Sequence, residues 1–295
     1  MKRREFVAAL AVAPATGLAA SAAGAAEATR VPAAAPPPAG PSSPRAAAPG
    51  DAALADLLVR MRCAPGGGWA AWLYSGTLVV RPEGQVARTV MRIEGFSFNR
   101  ALARGPGVHD YALDEVGYYC DPATGRPLER WTNPFNGRET RVAHYRSPQQ
   151  LRFDGASVSA VTALPPGTEF RGEITRFAEV GGLVAVSEDL YVRSPARAAT
   201  EARPAAPERT FASLATHVSR AEDLARDPAE WLDCTLAYGT MNGFMASLGF
   251  DGAPGVQNMR LVGRKVRADA LDAVPAWLMD RVRRDHPTFL DVPKG

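Results

Sequence analysis

The chain has 295 residues, 46% of them hydrophobic, a formal net charge of +3 and a pI near 8.9. The first 50 residues carry five basic and two acidic side chains, so from Asp51 onward acids and bases balance. A neutral body lacks the basic footprint of a nucleic-acid-binding protein. The absence of any run of about 18 apolar residues after the leader argues against a membrane-spanning segment in the mature protein.

The chain opens Met1-Lys2-Arg3-Arg4-Glu5-Phe6-Val7, with paired arginines just before an apolar stretch over 7–20. This resembles a twin-arginine signal peptide, followed by small-residue cleavage sites at Ala23-Gly24-Ala25 and Gly24-Ala25-Ala26. The expected organisation is a signal peptide over 1–26, a disordered Ala/Pro-rich linker over 27–50 and a single β-rich domain over 51–295. The expected location is periplasmic or secreted, with the twin-arginine translocation machinery as a partner. That pathway carries folded proteins, which is suggestive of a cofactor but identifies none.

The body begins with a short helix over 51–62. Strands are expected over 69–80 and 86–98, separated by the turn Pro82-Glu83-Gly84, and over 111–120, before the turn Asp121-Pro122-Ala123-Thr124-Gly125. Shorter strands over 128–132 and 139–145 flank Asn133-Pro134-Phe135-Asn136-Gly137. Gly181-Gly182 links strands over 169–180 and 183–192, the clearest hairpin in the chain. A loop over 194–208, a strand over 210–219, a helix start at Asp227-Pro228-Ala229-Glu230, a strand over 256–266 and a helix over 274–285 complete the series. Eight to ten strands with few helices predict a mainly β fold: a single antiparallel barrel-like or curved-sheet domain, lipocalin-like in architecture, with a few short helices.

Cys63, Cys120 and Cys234 form no C-x-x-C, and the histidines at 109, 144, 217 and 286 lack metal-ligand spacing, so no metal site is expected. A Cys120 to Cys234 disulfide and three buried thiols both remain open. Glu188-Asp189 and Glu222-Asp223 read as solvated faces, and Lys265, the only lysine between residues 3 and 293, has two readings, a buried cation or anion binder and, beside Arg264 in a strand, the commoner edge charge.

The densest polar and aromatic segment runs from Tyr118 to His144 and has two readings. In one, Asp121, Thr124, Gly125, Asn133 and Asn136 are turn chemistry and Trp131 is core. In the other, strand alternation brings Tyr119, Asp121, Asn133 and His144 to one pocket, with Trp131, Tyr118 and Trp72 binding a ligand and His144 exchanging protons with Asp121 or Tyr119.

Asp121, Thr124-Gly125, Trp131, Asn133-Pro134 and Val142-Ala143-His144 are the residues on which the chain resembles an uncharacterised bacterial family, domain of unknown function 1838. The resemblance continues through Leu261-Val262-Gly263-Arg264-Lys265 and the 275–293 ending, and covers the body from about residue 55. It departs at 239–249, where Thr240-Met241-Asn242-Gly243-Phe244-Met245 replaces a Trp-Pro-rich stretch; if that stretch lines a pocket in relatives, a different ligand is expected here. The resemblance implies a secreted, β-rich protein without an established activity. Three functions follow: a barrel binding a small apolar or aromatic molecule; a cofactor-independent isomerase, lyase or hydrolase using His144 with Asp121 and Tyr119; and an envelope scaffold that binds another protein.

Overall fold

The structure, a computed structural model, describes residues 52–176, 179–196, 208–250 and 253–294. The expected signal peptide and linker, and most of the 194–208 loop, lie outside them. Ten strands close an antiparallel barrel: β1 (Ala70–Pro82), β2 (Arg88–Gly105), β3 (Val108–Cys120), β6 (Tyr145–Asp154), β7 (Ser157–Ala160), β8 (Glu169–Arg176), β9 (Leu183–Ser194), β10 (Arg209–Arg220), β11 (Thr235–Asn242) and β12 (Gly255–Arg267). The first and last strands pair, which closes the sheet, while β7 pairs with β6 only over 151–154 and with β8 only at Ser157 and Val158, so that 145–149 of β6 have no partner strand on that side. Between β3 and β6 the chain leaves the barrel to form a hairpin, β4 (Arg130–Thr132) with β5 (Glu139–Arg141). The expected mainly β fold is the observed one.

Three apolar clusters follow from strand alternation. Helix α1 (Ala52–Arg62) touches strands on opposite walls, β3 and β6 on one side and β8 and β10 on the other, so it lies across one end of the barrel. Its Ala55, Leu58 and Met61 are fully buried against Tyr111, Phe153, Ile174 and Val186. The other end is closed over β1, β2, β3 and β12 by Trp131, Val142, Leu248 and Phe250. There Asn133 Nδ2, Asn136 Nδ2 and Thr140 Oγ1 donate to the carbonyls of Leu248, Gly249 and Ser247 at 2.9, 2.9 and 2.6 Å, tying the hairpin to the 247–249 segment. The third cluster is outside the barrel, where α3 (Ala276–Asp285) and Phe289 cover Phe96, Phe98, Val116 and Tyr118.

The C-terminus of α1 is held by side chains of the wall. Lys265 Nζ donates to the carbonyls of Arg60 and Cys63 at 3.1 and 3.3 Å, and Trp72 Nε1 donates to that of Arg62 at 2.8 Å. These are the carbonyls a helix end leaves without partners. Lys265 is therefore buried rather than an edge charge. The segment at Asp227 is not a helix: its carboxylate accepts from Ala229 N–H in a tight turn, and the short α2 (Ala221–Leu224) precedes it. Cys63, Cys120 and Cys234 are three buried free thiols, with Cys120 in the outer cluster and the other two in the α1 cluster.

One rung of the wall is built for two rings. Tyr74, Gly95, Gly117 and Tyr145 pair in register across β1, β2, β3 and β6. A Cβ at Gly95 would lie 2.5 Å from the Tyr74 hydroxyl, and one at Gly117 2.2 Å from the Tyr145 ring, so the tyrosines lie across the two glycines. The two hydroxyls meet at 3.3 Å, and Tyr74 donates to the Val116 carbonyl at 2.7 Å. Gly117→Ala is expected to destabilise the protein by about 1–3 kcal/mol in urea unfolding. Most of that loss should disappear in a Tyr145→Ala background, whereas equal losses in both backgrounds would contradict the packing described.

Candidate functional site

Between the two apolar ends the inward positions become polar. Trp72, Ser97, Glu115 and Ser147 form the rung beside the tyrosines, and Asn99, Leu113 and Gln149 follow on β2, β3 and β6. On the opposite wall, alternation turns Glu188, Ser213, His217 and Tyr238 inward. Glu115, Tyr145, Ser147, Gln149 and Tyr238 occupy the middle of the barrel yet keep accessible surface. Inward side chains on central rungs retain such surface only where they face an open space. The interior between the two closures, here called the chamber, is therefore polar, tyrosine-lined and incompletely filled, and it is bordered by the stretch of β6 that has no partner strand.

Its chemistry is set by a charge delivered from the helix. Arg62, the last residue of α1, forms a salt bridge with Glu188, whose side chain is 2% exposed. The Arg62 guanidinium stacks 4.3 Å over the Tyr111 ring, and its Nε donates to Asn99 Oδ1 at 3.4 Å. Tyr111 donates to the same oxygen, while Asn99 Nδ2 donates to Ser97 at 2.8 Å. Two polar atoms here have no partner: Glu188 Oε1 and His217 Nδ1 are both buried and unpaired. Burial, followed by the field of Arg62, holds the His217 imidazole well below its ordinary range, so it is neutral. Its ring meets Trp72 edge-on at 5.3 Å.

Glu115 has neither a salt bridge nor a hydrogen-bond donor among the described residues. Burial pushes its carboxyl up to about 7, against the opposing pull of Arg62. The chamber wall thus carries two cations, Arg62 committed to Glu188 and Lys265 held by the carbonyls of Arg60 and Cys63, and one carboxyl, Glu115, without a bonded partner.

The chamber's mouth is defined by what the far closure leaves uncovered. That closure contains no residue of β7 to β10. Phe170 on β8 packs against the α1 cluster instead, and Phe211 on β10 is half-buried. A separate cleft of about 1020 Å³ lies outside the barrel beside Trp69, Trp231 and Met279. Its charges pair with one another, Arg283 with Asp280 at 3.0 Å and Arg267 with Asp269 at 3.7 Å, and Trp69 Nε1 is its buried atom without a partner.

The residues expected from the sequence are distributed differently. Trp72 lines the chamber. Tyr119 and Trp131 belong to the far closure, where Tyr119 Oη contacts Met245 Sδ at 3.5 Å. Asn133 is fully buried, its Oδ1 accepting from Phe135 N–H at 2.8 Å in its own turn. Asp121 accepts from the N–H groups of Ala123 and Thr124 and from the Thr124 hydroxyl, which holds its carboxyl below the usual range. Tyr118 lies outside the barrel beneath α3, its hydroxyl buried and unpaired, with the Arg281 guanidinium 5.8 Å over the ring.

His144 packs between the rings of Tyr118 at 4.9 Å and Tyr119 at 6.5 Å. Its Nδ1 accepts the Tyr119 backbone N–H at 3.2 Å, so the neutral ring carries its proton on Nε2, which is buried without an acceptor. Burial, with Arg281 next, pulls its pKa down to about 4. The structure thus gathers His144, Tyr118 and Tyr119 and leaves Asp121 in its turn.

The residues missed by sequence reasoning are Arg62, Glu115, Glu188, His217, Tyr145 and Tyr238. Glu188, read with Asp189 as a solvated pair, is buried because strand alternation sends the two side chains to opposite faces of β9. That alternation within 183–192 was the available signal.

The fold and the chamber define a class: closed antiparallel barrels with a polar internal cavity. The chain belongs to the family described as protein of unknown function (DUF1838), which matches residues 69–295. No curated protein and no solved structure matches it. The matched span contains the whole barrel and begins after α1, so the helix that supplies Arg62 lies outside it.

The raised carboxyl of Glu115 has a stability consequence. An unfolded glutamate ionises near pH 4.5 while the native one holds its proton to about 7, so Glu115 lowers stability as pH rises through that window. Glu115→Gln should therefore stabilise the ligand-free protein at pH 8, by on the order of 1–3 kcal/mol, and have little effect at pH 4. Chemical denaturation at both pH values measures this, and a variant less stable at pH 8 would show that the carboxylate is compensated.

Proposed function

We propose that this is an exported, periplasmic or secreted barrel that binds a small apolar or aromatic molecule in its central chamber. The observation that carries the binding reading is the retained surface of Glu115, Tyr145 and Tyr238 at the centre of a barrel closed by apolar residues at both ends. Tyrosine and tryptophan rings supply apolar contact area, and the sparse polar groups orient a ligand, the usual composition of a small-molecule site. Export is supported by the paired arginines, apolar stretch and small-residue cleavage sites of the leader. Catalysis through His144 with Asp121 and Tyr119 has less support: Asp121 is engaged by Ala123 and Thr124, and the His144 imidazole is held neutral beside rings rather than beside a carboxylate.

The uncharged aromatic dye N-phenyl-1-naphthylamine tests the reading. Its fluorescence should rise on mixing with the full barrel and saturate at one molecule per chain. Ser213→Trp or Ser147→Trp, each placing an indole in the chamber, should abolish the rise while circular dichroism stays β-rich. No saturable rise with the unmodified protein, or a rise unchanged in both variants with folds intact, would overturn the proposal.

Twin-arginine export is tested by Arg3→Lys with Arg4→Lys in the full-length precursor. Mature protein should be lost from the periplasmic fraction. Undiminished periplasmic protein would reject that route.

A further inference from the structure

The chamber's charge balance identifies a ligand class. From every element facing it, the titratable and charged groups are Arg62 from α1 with Cys63 just after it, Tyr74 from β1, Tyr111, Glu115 and Tyr119 from β3, Tyr145 from β6, Glu188 from β9, His217 from β10, Tyr238 from β11 with Cys234 just before it, and Lys265 from β12. Asp114, next to Glu115 and facing the other way, is neutralised by Arg146 through contacts of 3.0 and 2.6 Å. Arg62 and Glu188 cancel, His217 is neutral, and Lys265 is engaged by the carbonyls of Arg60 and Cys63 at the α1 end, away from Glu115. What remains is Glu115, an acceptor without a donor or a cation. Glu188 Oε1 adds a second acceptor without a donor, in a side chain 98% buried.

Both unsatisfied acceptors sit among aromatic rings. Tyr74 and Tyr145 lie on the rung beside Glu115, and Tyr238 and Trp72 are on the flanking walls. A carboxylate needing a counterion inside a tyrosine-rich wall fits one chemistry. A protonated amine donates to the carboxylate and places its charge over ring faces.

We propose that the chamber binds an organic ammonium, a small aromatic or apolar molecule carrying one protonated amine, with Glu115 as its counterion and Glu188 Oε1 as a further acceptor. This rests on the chamber being the binding site. An anion would meet two carboxyl groups, with Arg62 already paired and the Lys265 ammonium held by the carbonyls of Arg60 and Cys63, and a neutral molecule would leave Glu115 without a counterion.

The inference has a pH sign. Glu115 keeps its proton until about pH 7 in the empty protein, and an ammonium stabilises its ionised form. Binding below pH 7 therefore releases a proton, and affinity rises between about pH 5 and pH 8.

Phenethylamine, 2-phenylethanol and 3-phenylpropionate share an aromatic ring and a two-carbon spacer and differ in charge, and each can be titrated against the bound naphthylamine dye. At pH 8 the amine should displace the dye at a concentration about tenfold or more below that of the alcohol, and the carboxylate should be weakest. At pH 5 the advantage of the amine should shrink severalfold. Glu115→Gln, which keeps size and shape, should bring amine and alcohol to within about twofold of each other, with each competition referred to the variant's own measured affinity for the dye. The proposal is overturned if the alcohol or the carboxylate binds as well as the amine at pH 8, or if the advantage of the amine survives Glu115→Gln. If the dye itself does not bind, the chamber reading fails first, which separates that failure from this one.

Discussion

A closed barrel of ten strands is wider than its own wall side chains fill, since about eight strands already give an interior that side chains just fill or that holds one small ligand. Every other feature of the molecule answers that width. Apolar material is brought in from outside the sheet at both ends, α1 at one and the hairpin with the 244–250 segment at the other. The belt between them is left to polar side chains and tyrosines. Closure also removes the two terminal edges that a long meander would carry, so one geometric choice gives both protection of the backbone and the internal space.

The helix at the first end is a chemical as well as a steric element. Its terminal carbonyls are satisfied by Lys265 and Trp72, and its last side chain enters the chamber as the guanidinium that pairs with Glu188. The position of Arg62 is thereby fixed from three directions, by Glu188, by the Tyr111 ring and by Asn99. Breaking a buried pair from one side leaves an uncompensated charge and costs several kcal/mol. Lys265 is thus a helix cap, and the recognition chemistry and the closure of the barrel are mechanically one unit.

How much of this was legible depends on which face of each strand is apolar. The hairpin at Gly181-Gly182 and the strand at 183–192 were visible because glycine turns and β-branched alternation speak to local structure. β6 was missed because its inward residues Tyr145, Ser147 and Gln149 are polar and Pro148 lies among them, so that apolar alternation is confined to Leu151 and Phe153 at its end. β2 had a broken pattern for the opposite reason: α3 covers its outer face, leaving Phe96 and Phe98 buried outside while Ile93 is buried inside. The Asp121 and Asn133 motifs were legible as turns, and the structure has them so. The chamber was not legible, because Arg62, Glu115, Glu188 and Tyr238 are far apart in sequence and only closure of the barrel brings them together.

The central claim is that this barrel keeps an open polar chamber rather than a filled core. A crystal structure of the ligand-free protein at about 1.5 Å resolution tests it most directly. The account predicts ordered water or a co-purified molecule within hydrogen-bonding distance of the Glu115 carboxyl and of Glu188 Oε1, with Tyr74 and Tyr145 lying across Gly95 and Gly117. A collapsed interior, with Glu115 bonded to a donor of the protein itself and no density beside Glu188 Oε1, would contradict it.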